Sequence, residues 1–329
     1  MNETERLAGL IRQKSSPLFP IRAELSPEWE ALVPKNGEFP PSAPAGVKAF
    51  IFDLYGTLFV SGAGEIGAAN EVSGGPNQAG RETRAAVIRE TARPPADPAG
   101  DPALFSMKRY FHGAVTAFHE KAFAAGRAFP EIRVEEIWAG YDGPVPEKWG
   151  LSNRGLTPSG RNQTVRERAV LYELAINPVY PMPGAAETIG ELKDSGLVLG
   201  IISNAQFFSP LLFKAFFGKT PAEMGFDPRL LIWSFEEAEA KPSARLFEKA
   251  AARLNERGMG PDEAVYVGND MKNDIVPAAA AGFKTVLFAG DLRSLRLRNM
   301  LPSRIKTASG EQAVPSLVIR DLQSLLEIR

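Results

Sequence analysis

The chain has 329 residues, with 38 Lys and Arg against 39 Asp and Glu, a formal net charge of −1 and no cysteine. That balance leaves no broad basic surface for nucleic acid or an anionic membrane, and the missing thiols exclude disulfides, cysteine nucleophiles and thiolate metal sites. No apolar run approaches the ~20 residues that span a bilayer, so the composition points to a soluble, cytoplasmic enzyme with a small-molecule substrate.

Residues 1–47 read as a leader. Residues 1–14 mix acids and bases with apolar positions, unlike a secretory signal. Residues 4–13 have helical spacing, and the proline-rich stretch 34–44 is loop chemistry, expected to drape over the core. The chain then enters Ala49, Phe50, Ile51 and Phe52, an unbroken apolar strand of the type covered on both faces in parallel sheets, and runs into Asp53 and a Gly56-Thr57 turn. Ligands of such sheets collect at the carboxyl ends of the strands. Asp53 is therefore a candidate nucleophile.

Residues 61–180 read as an insertion. It opens Gly-rich over 61–80, continues with helical spacing over 81–91, 103–125, 134–140 and 160–176, and shows no strand. His112 and His119 are the only histidines and read as packed or surface residues; Trp138, Tyr141 and Trp149 read as the insertion's own core. Arg81, Arg84, Lys108 and Arg109 are possible anion contacts.

Residues 181–329 return to strand and helix alternation. Residues 197–202 form an apolar strand ending in Ser203 and Asn204, a hydroxyl and an amide able to meet an anionic oxygen. A strand over 230–235 leads to Lys241-Pro242 and an amphipathic helix over 244–254, so the ammonium is expected at a helix entrance fixed by proline at its first position. Residues 264–268 form a strand ending in Asn269 and Asp270, with Asp274 four positions on, a spacing that suits a shared hard cation. Strands over 284–288 and 317–319 and a helix over 321–326 follow. The segment 293–298 reads as a solvated basic face, with no partner evident for Arg293, Arg296 or Arg298. The order of these elements predicts an α/β fold, a doubly wound three-layer parallel sheet with an inserted helical domain. Three carboxylates converging on one lysine would leave about two net negative charges, which a divalent cation would neutralise.

In this order the segments resemble the haloacid dehalogenase-like (HAD) superfamily. Its signature is Asp at the first strand end, Ser or Thr at the second, Lys before a later helix and acidic residues after the fourth strand. The resemblance covers roughly 48–57 and 183–290. It implies a Rossmannoid core of 48–60 and 181–329, with 61–180 as flap and helical cap. It implies Asp53 as nucleophile of a covalent aspartyl intermediate, with Ser203 binding the transferred group and Lys241 holding nucleophile and oxyanion. Asn204, Tyr55 and Thr57 would contact substrate, and Asp53, the Tyr55 carbonyl, Asp270 and Asp274 would hold Mg²⁺. Two departures stand out. Tyr55 occupies the place of the second Asp that family phosphatases use as general acid and base, and Asp-x-Tyr-Gly-Thr-Leu resembles the metal-free 2-haloacid dehalogenases, where Arg81 or Arg84 would receive halide or carboxylate. Asn269 stands directly after Gly268, where family phosphatases often carry the first acid, yet the pair Asp270 and Asp274 resembles the metal-using members. The reading that follows is a Mg²⁺-dependent phosphohydrolase of a small phosphorylated metabolite. Its alternatives are a 2-haloacid dehalogenase with Asp53 attacking carbon, and a catalytically weak binding protein of the same fold.

Overall fold

The computed structural model describes residues 2–35, 38–64, 101–151, 158–300 and 315–328, with only the helical trace for 158–163. Arg81, Arg84, the 81–91 segment and most of the Gly-rich stretch lie outside the described residues.

Strand β1 (Ala49–Phe52) is fully buried because all four side chains are apolar and both faces are covered. Successive side chains point to opposite faces. Phe50 and Phe52 join one apolar cluster with Leu199, Ile201, Val265 and Val267, and Ala49 and Ile51 join another with Leu246, Phe247, Ala250 and Leu254. Those last four sit on one face of a helix (Ala244–Asn255), at the spacing that builds an apolar stripe. The result is a sheet sandwiched between helical layers.

The sheet has six strands in the order β5-β4-β1-β6-β7-β8: β4 (Val198–Ser203), β5 (Phe226–Trp233), β6 (Ala264–Gly268), β7 (Lys284–Phe288) and β8 (Leu317–Ile319). Every neighbouring pair is parallel. From β1 the chain builds outward through β4 and β5, then crosses back to β6 on the other side. The switch point thus lies between β1 and β6, where open sheets of this kind bind ligands.

Two boundaries differ from the sequence expectation. β5 begins at Phe226 and ends at Trp233, after which Ser234–Glu237 forms a helical turn. Asp227, Pro228 and Arg229 hide its start from sequence pattern, because an edge strand tolerates the proline that a central strand would reject. The helix after Lys241 starts at Ala244 with Ser243 as its cap, the Ser243 hydroxyl accepting from the Arg245 N–H, so Pro242 precedes the cap and does not occupy the first helical position.

The insertion is framed by two short strands the sequence reading missed. β2 (Phe59–Ser61) and β3 (Val179–Pro181) pair antiparallel. At three residues each they are too short for a period of two to be legible. Between them, Pro102–Ala124 is capped by Asp101, whose carboxylate accepts from the N–H groups of Ala103 and Leu104. Phe111, Trp138 and Tyr172 stack around one another with centroids 4.7 to 5.4 Å apart, joining that helix to Val134–Ala139 and Pro158–Ile176. Trp138 and Tyr141 are buried as expected, and His119 packs between Phe118 and Phe123. The leader does more than drape. Its helix, Glu3–Lys14, buries Leu7, Ala8 and Ile11 and forms ion pairs from Arg6 to Glu167 and from Glu3 to Arg166 of the insertion. Its later residues bond to the core, the Ile21 N–H donating to Asp291 and Arg320 pairing with Glu30.

One loop of the insertion docks beside the sheet's carboxyl edge. Pro130 bridges Glu239, the Glu131 N–H donates to the Ala238 carbonyl, and the Ala240 N–H donates to Phe129. The next residue is Lys241. At this seam the Glu131 carboxylate accepts from the Ser234 hydroxyl at 2.6 Å, the Gln206 amide at 3.2 Å and the Ile132 N–H at 3.0 Å. Burial pushes its pKa up to about 7 against those three hydrogen bonds. The folded protein therefore binds a proton that the unfolded chain, at the ordinary 4.5, has already released, and stability should fall as pH rises from about 4.5 to about 7. Urea unfolding of wild type and Glu131→Gln at pH 5 and pH 8 checks this: the variant should lose less stability over that interval than wild type, and equal losses would contradict the assignment.

Candidate active site

Asp53 follows β1, with its N–H donating to the Val267 carbonyl of β6 at 2.8 Å, so the sheet's own ladder holds it at the switch point. It is 6 % exposed. The turn beyond it needs Gly56, at φ +83°. A Cβ there would fall 2.3 Å from the Ser294 Cβ and 2.8 Å from Asn269 Nδ2. Thr57, fully buried, donates to Asn269 Oδ1 at 3.2 Å, and Asn269 Nδ2 donates to the Ser294 carbonyl at 2.7 Å. The first and fourth motifs are thereby tied to the loop after β7.

Two donors converge on Asp53 Oδ1: Ser203 Oγ at 3.0 Å and Lys241 Nζ at 2.6 Å. Asn204 Oδ1 accepts the Lys241 backbone N–H at 2.7 Å, so the residue after the Ser203 hydroxyl fixes the loop that delivers the ammonium. Lys241 Nζ also donates to Asp274 Oδ1 at 2.5 Å and to Tyr266 Oη at 3.2 Å. Burial opposes the lysine's charge, but Asp274 and Asp53 outweigh it and hold its pKa above the ordinary value, so it remains an ammonium. Burial likewise raises Asp274, to about 7, against the attraction of Lys241 and with further repulsion from Asp53 and Asp270.

Asp53, Tyr55, Asn204, Lys241, Asp270 and Asp274 line one narrow cleft, together with Gly64, Asn269, Asn273 and Arg296. Thr57 is not among its walls. Tyr55 reaches the cleft near the turn, but its hydroxyl lies in the core 2.8 Å from Ser209 Oγ, with its pKa raised by burial. It is no substitute for a general acid.

Two of the four predicted Mg²⁺ ligands, Asp270 and Asp274, do not fit that role in this arrangement. Asp270 Oδ1 accepts from the N–H groups of Lys272 and Asn273 and from Arg298 Nε, and Oδ2 accepts from Asn273 Nδ2 and the other arm of Arg298. Asp274 Oδ2 accepts the N–H groups of Asn269 and Asp270, and its Oδ1 serves Lys241 and the Tyr266 hydroxyl. On these two acids the lone pairs a hard cation needs are engaged. Among the described residues no group of three His, Cys, Asp or Glu is placed to hold a metal. A spacing of four put both acids on one turn, but the first caps that turn (Met271–Ile275) while the second points back at Lys241. The expected surplus of negative charge is also reduced, since Arg298 joins Lys241.

The basic segment is correspondingly not a solvated face. Arg293 is buried and paired with Asp291, Arg296 lines the cleft, and Arg298 pairs with Asp270. Sequence reasoning missed Tyr266, Asn269, Asn273, Arg296 and Arg298 as parts of the site. Tyr266 was readable only as a strand residue, and nothing in the 293–298 spacing announces a loop that folds back over the fourth motif.

The fold is a doubly wound α/β sheet with an aspartate and a lysine meeting at its switch point. The chain belongs to the haloacid dehalogenase-like hydrolases, whose family model matches residues 47–282. It is 35% identical over 107 residues to a ribulose-1,5-bisphosphate 5-phosphatase of Halopiger xanaduensis, covering 32% of this chain and 41% of that one. It is 32% identical over 120 residues to a glyceraldehyde 3-phosphate phosphatase of Methanothermobacter thermautotrophicus, covering 34% and 46%. The matched stretches span less than half the length of these relatives. A HAD phosphatase structure from Thermococcus onnurineus aligns over 85% of this chain and 96% of that one, at 17% identity and a TM-score of 0.43. Among the described residues no helix is long and apolar enough to cross a membrane.

Proposed function

We propose that this chain is a phosphohydrolase of small phosphorylated metabolites, with Asp53 as nucleophile. The observation that carries the reading is the convergence of Ser203 Oγ and Lys241 Nζ on a single Asp53 oxygen at the carboxyl end of β1. The names of the relatives over the matched stretch support phosphate esters as the substrate class. Asp53 attacks phosphorus, an aspartyl O–P bond forms, and the bond to the leaving oxygen breaks. Lys241 and Ser203 sit where charge on the transferred group develops. Water then attacks the aspartyl-phosphate, phosphate departs and the carboxylate is restored. With the Tyr55 hydroxyl committed to Ser209, the leaving oxygen receives no proton from that position. General acid assistance is typically worth ~10²- to 10⁴-fold, so good leaving groups such as acyl phosphates should be favoured over simple alkyl esters. In this reading 48–60 and 181–329 form the catalytic core, 61–180 closes over it as a cap, and 1–47 braces the two. Asp270 and Asp274 are already paired with Arg298 and Lys241, and these steps fall to Asp53, Ser203 and Lys241.

That pairing favours one second reading, a metal-free 2-haloacid dehalogenase in which Asp53 attacks carbon and halide leaves without a proton. A turnover screen with acyl phosphates, phosphate monoesters and 2-haloacids, each in Mg²⁺ and in EDTA, separates the two. Release of phosphate that requires Asp53 supports the first, and halide release with silence on every phosphate overturns it.

A further inference from the structure

The acid that family resemblance assigns to a metal is held by an arginine of this chain, and the hold is built from several directions. Asp270 has a side chain only 7% exposed, and its two oxygens accept from five donors: the Lys272 and Asn273 N–H groups, Asn273 Nδ2 and both arms of Arg298. A carboxylate offers about four lone-pair sites, so these donors leave none over. The loop that presents Arg298 is fastened on either side of Asp270. The Arg296 N–H donates to the Asn269 carbonyl and the Met271 N–H to the Arg296 carbonyl, both at 2.9 Å. Immediately beyond, Arg298 and Asn299 both adopt left-handed backbone, at φ +56° and +57°. Two consecutive residues with a Cβ are rare there, and such conformations persist where the surroundings impose them. Here the imposed turn sets the guanidinium against Asp270. A planar fork matches a carboxylate in two places at once and remains charged at every working pH.

We propose that Arg298 is a built-in counter-ion of Asp270 that competes with divalent cations for this carboxylate. A cation can take an Asp270 oxygen only by displacing the guanidinium, so pairing with Arg298 and binding a metal are mutually exclusive. The inference concerns the substrate-free protein and stands whether the reaction is at phosphorus or carbon.

Magnesium binding to the substrate-free full chain, followed by titration calorimetry and repeated with Mn²⁺ by electron paramagnetic resonance, tests it. Arg298→Gln should bind Mg²⁺ about tenfold more tightly than wild type, the low end of the coupling between close charge pairs. Adding Asp270→Asn to that variant should abolish the gain, since the released carboxylate is its source. Arg298→Lys keeps the charge without the fork, and should fall between wild type and Arg298→Gln. Thermal unfolding establishes which variants are folded, and if Arg298→Gln is not, Arg298→Lys carries the test with a gain of a few-fold. Equal or weaker Mg²⁺ binding in the folded variant, or a gain that survives Asp270→Asn, overturns the proposal.

Discussion

Replacing Asp53 with Asn is expected to lower turnover by ~10⁴-fold or more on every substrate while leaving the fold and melting temperature nearly unchanged, because loss of a nucleophile removes the covalent route altogether. The amide keeps an oxygen able to accept from Ser203 Oγ, and Lys241 retains Asp274 at 2.5 Å, so the ammonium is not stranded. Other changes near the cleft should act differently. Thr57 and Asn269 hold the turn in place through a 3.2 Å hydrogen bond, and their loss would weaken positioning without deleting a bond-forming atom. Steady-state turnover of Asp53→Asn beside wild type, with circular dichroism melts of both, checks the prediction. A variant retaining a tenth of wild-type activity would show that another group attacks.

The second large effect belongs to Lys241→Met. The side chains of Asp53 and Asp274 are 9% and 1% exposed and share this one ammonium. Removing one partner of a buried charge pair typically costs ~3 to 5 kcal/mol, because the remaining charge stays buried. The cost should depend on pH. Asp274 already has a pKa raised to about 7, above the ordinary 3.8, and losing the lysine that pulls it down would raise it further. Protonation at low pH relieves the unpaired charge, so Lys241→Met should be far less stable than wild type at pH 8 and closer to it at pH 5.5. Urea unfolding at the two pH values measures this. A loss below ~1 kcal/mol at both, the size of an exposed ion pair, would contradict the buried-triad description.

What the sequence disclosed about this molecule, and what it hid, follow from the range of the interactions. β1, β4 and β6 were legible because each is built on an apolar run, and a run of that kind reports its own burial on both faces, while β7 was legible from Val286, Leu287 and Phe288. Asp53, Ser203, Asn204, Lys241, Asp270 and Asp274 were legible as candidates because each closes such a run or precedes a helix, and all line or border the same cleft. β2 and β3 escaped because three residues carry too little period. The pairing of the acids escaped for a different reason. Spacing places Asp270 and Asp274 on one turn, but which cation each meets depends on a loop more than twenty residues away, Arg298 for the first, and on Lys241 from the segment after β5 for the second. Glu131 was silent as well, since its environment consists of Ser234 and Gln206, brought to it only by the docking of the insertion on the core.

The most direct test of Asp53 as the attacking group is peptide-level mass spectrometry of enzyme quenched in acid during turnover of an acyl phosphate or phosphate monoester. The account predicts a phosphoryl group on the peptide containing Asp53, on the Asp53 side chain, that disappears when substrate is exhausted. Sustained phosphate release with no adduct on Asp53, or with the phosphoryl group on another residue, would contradict it.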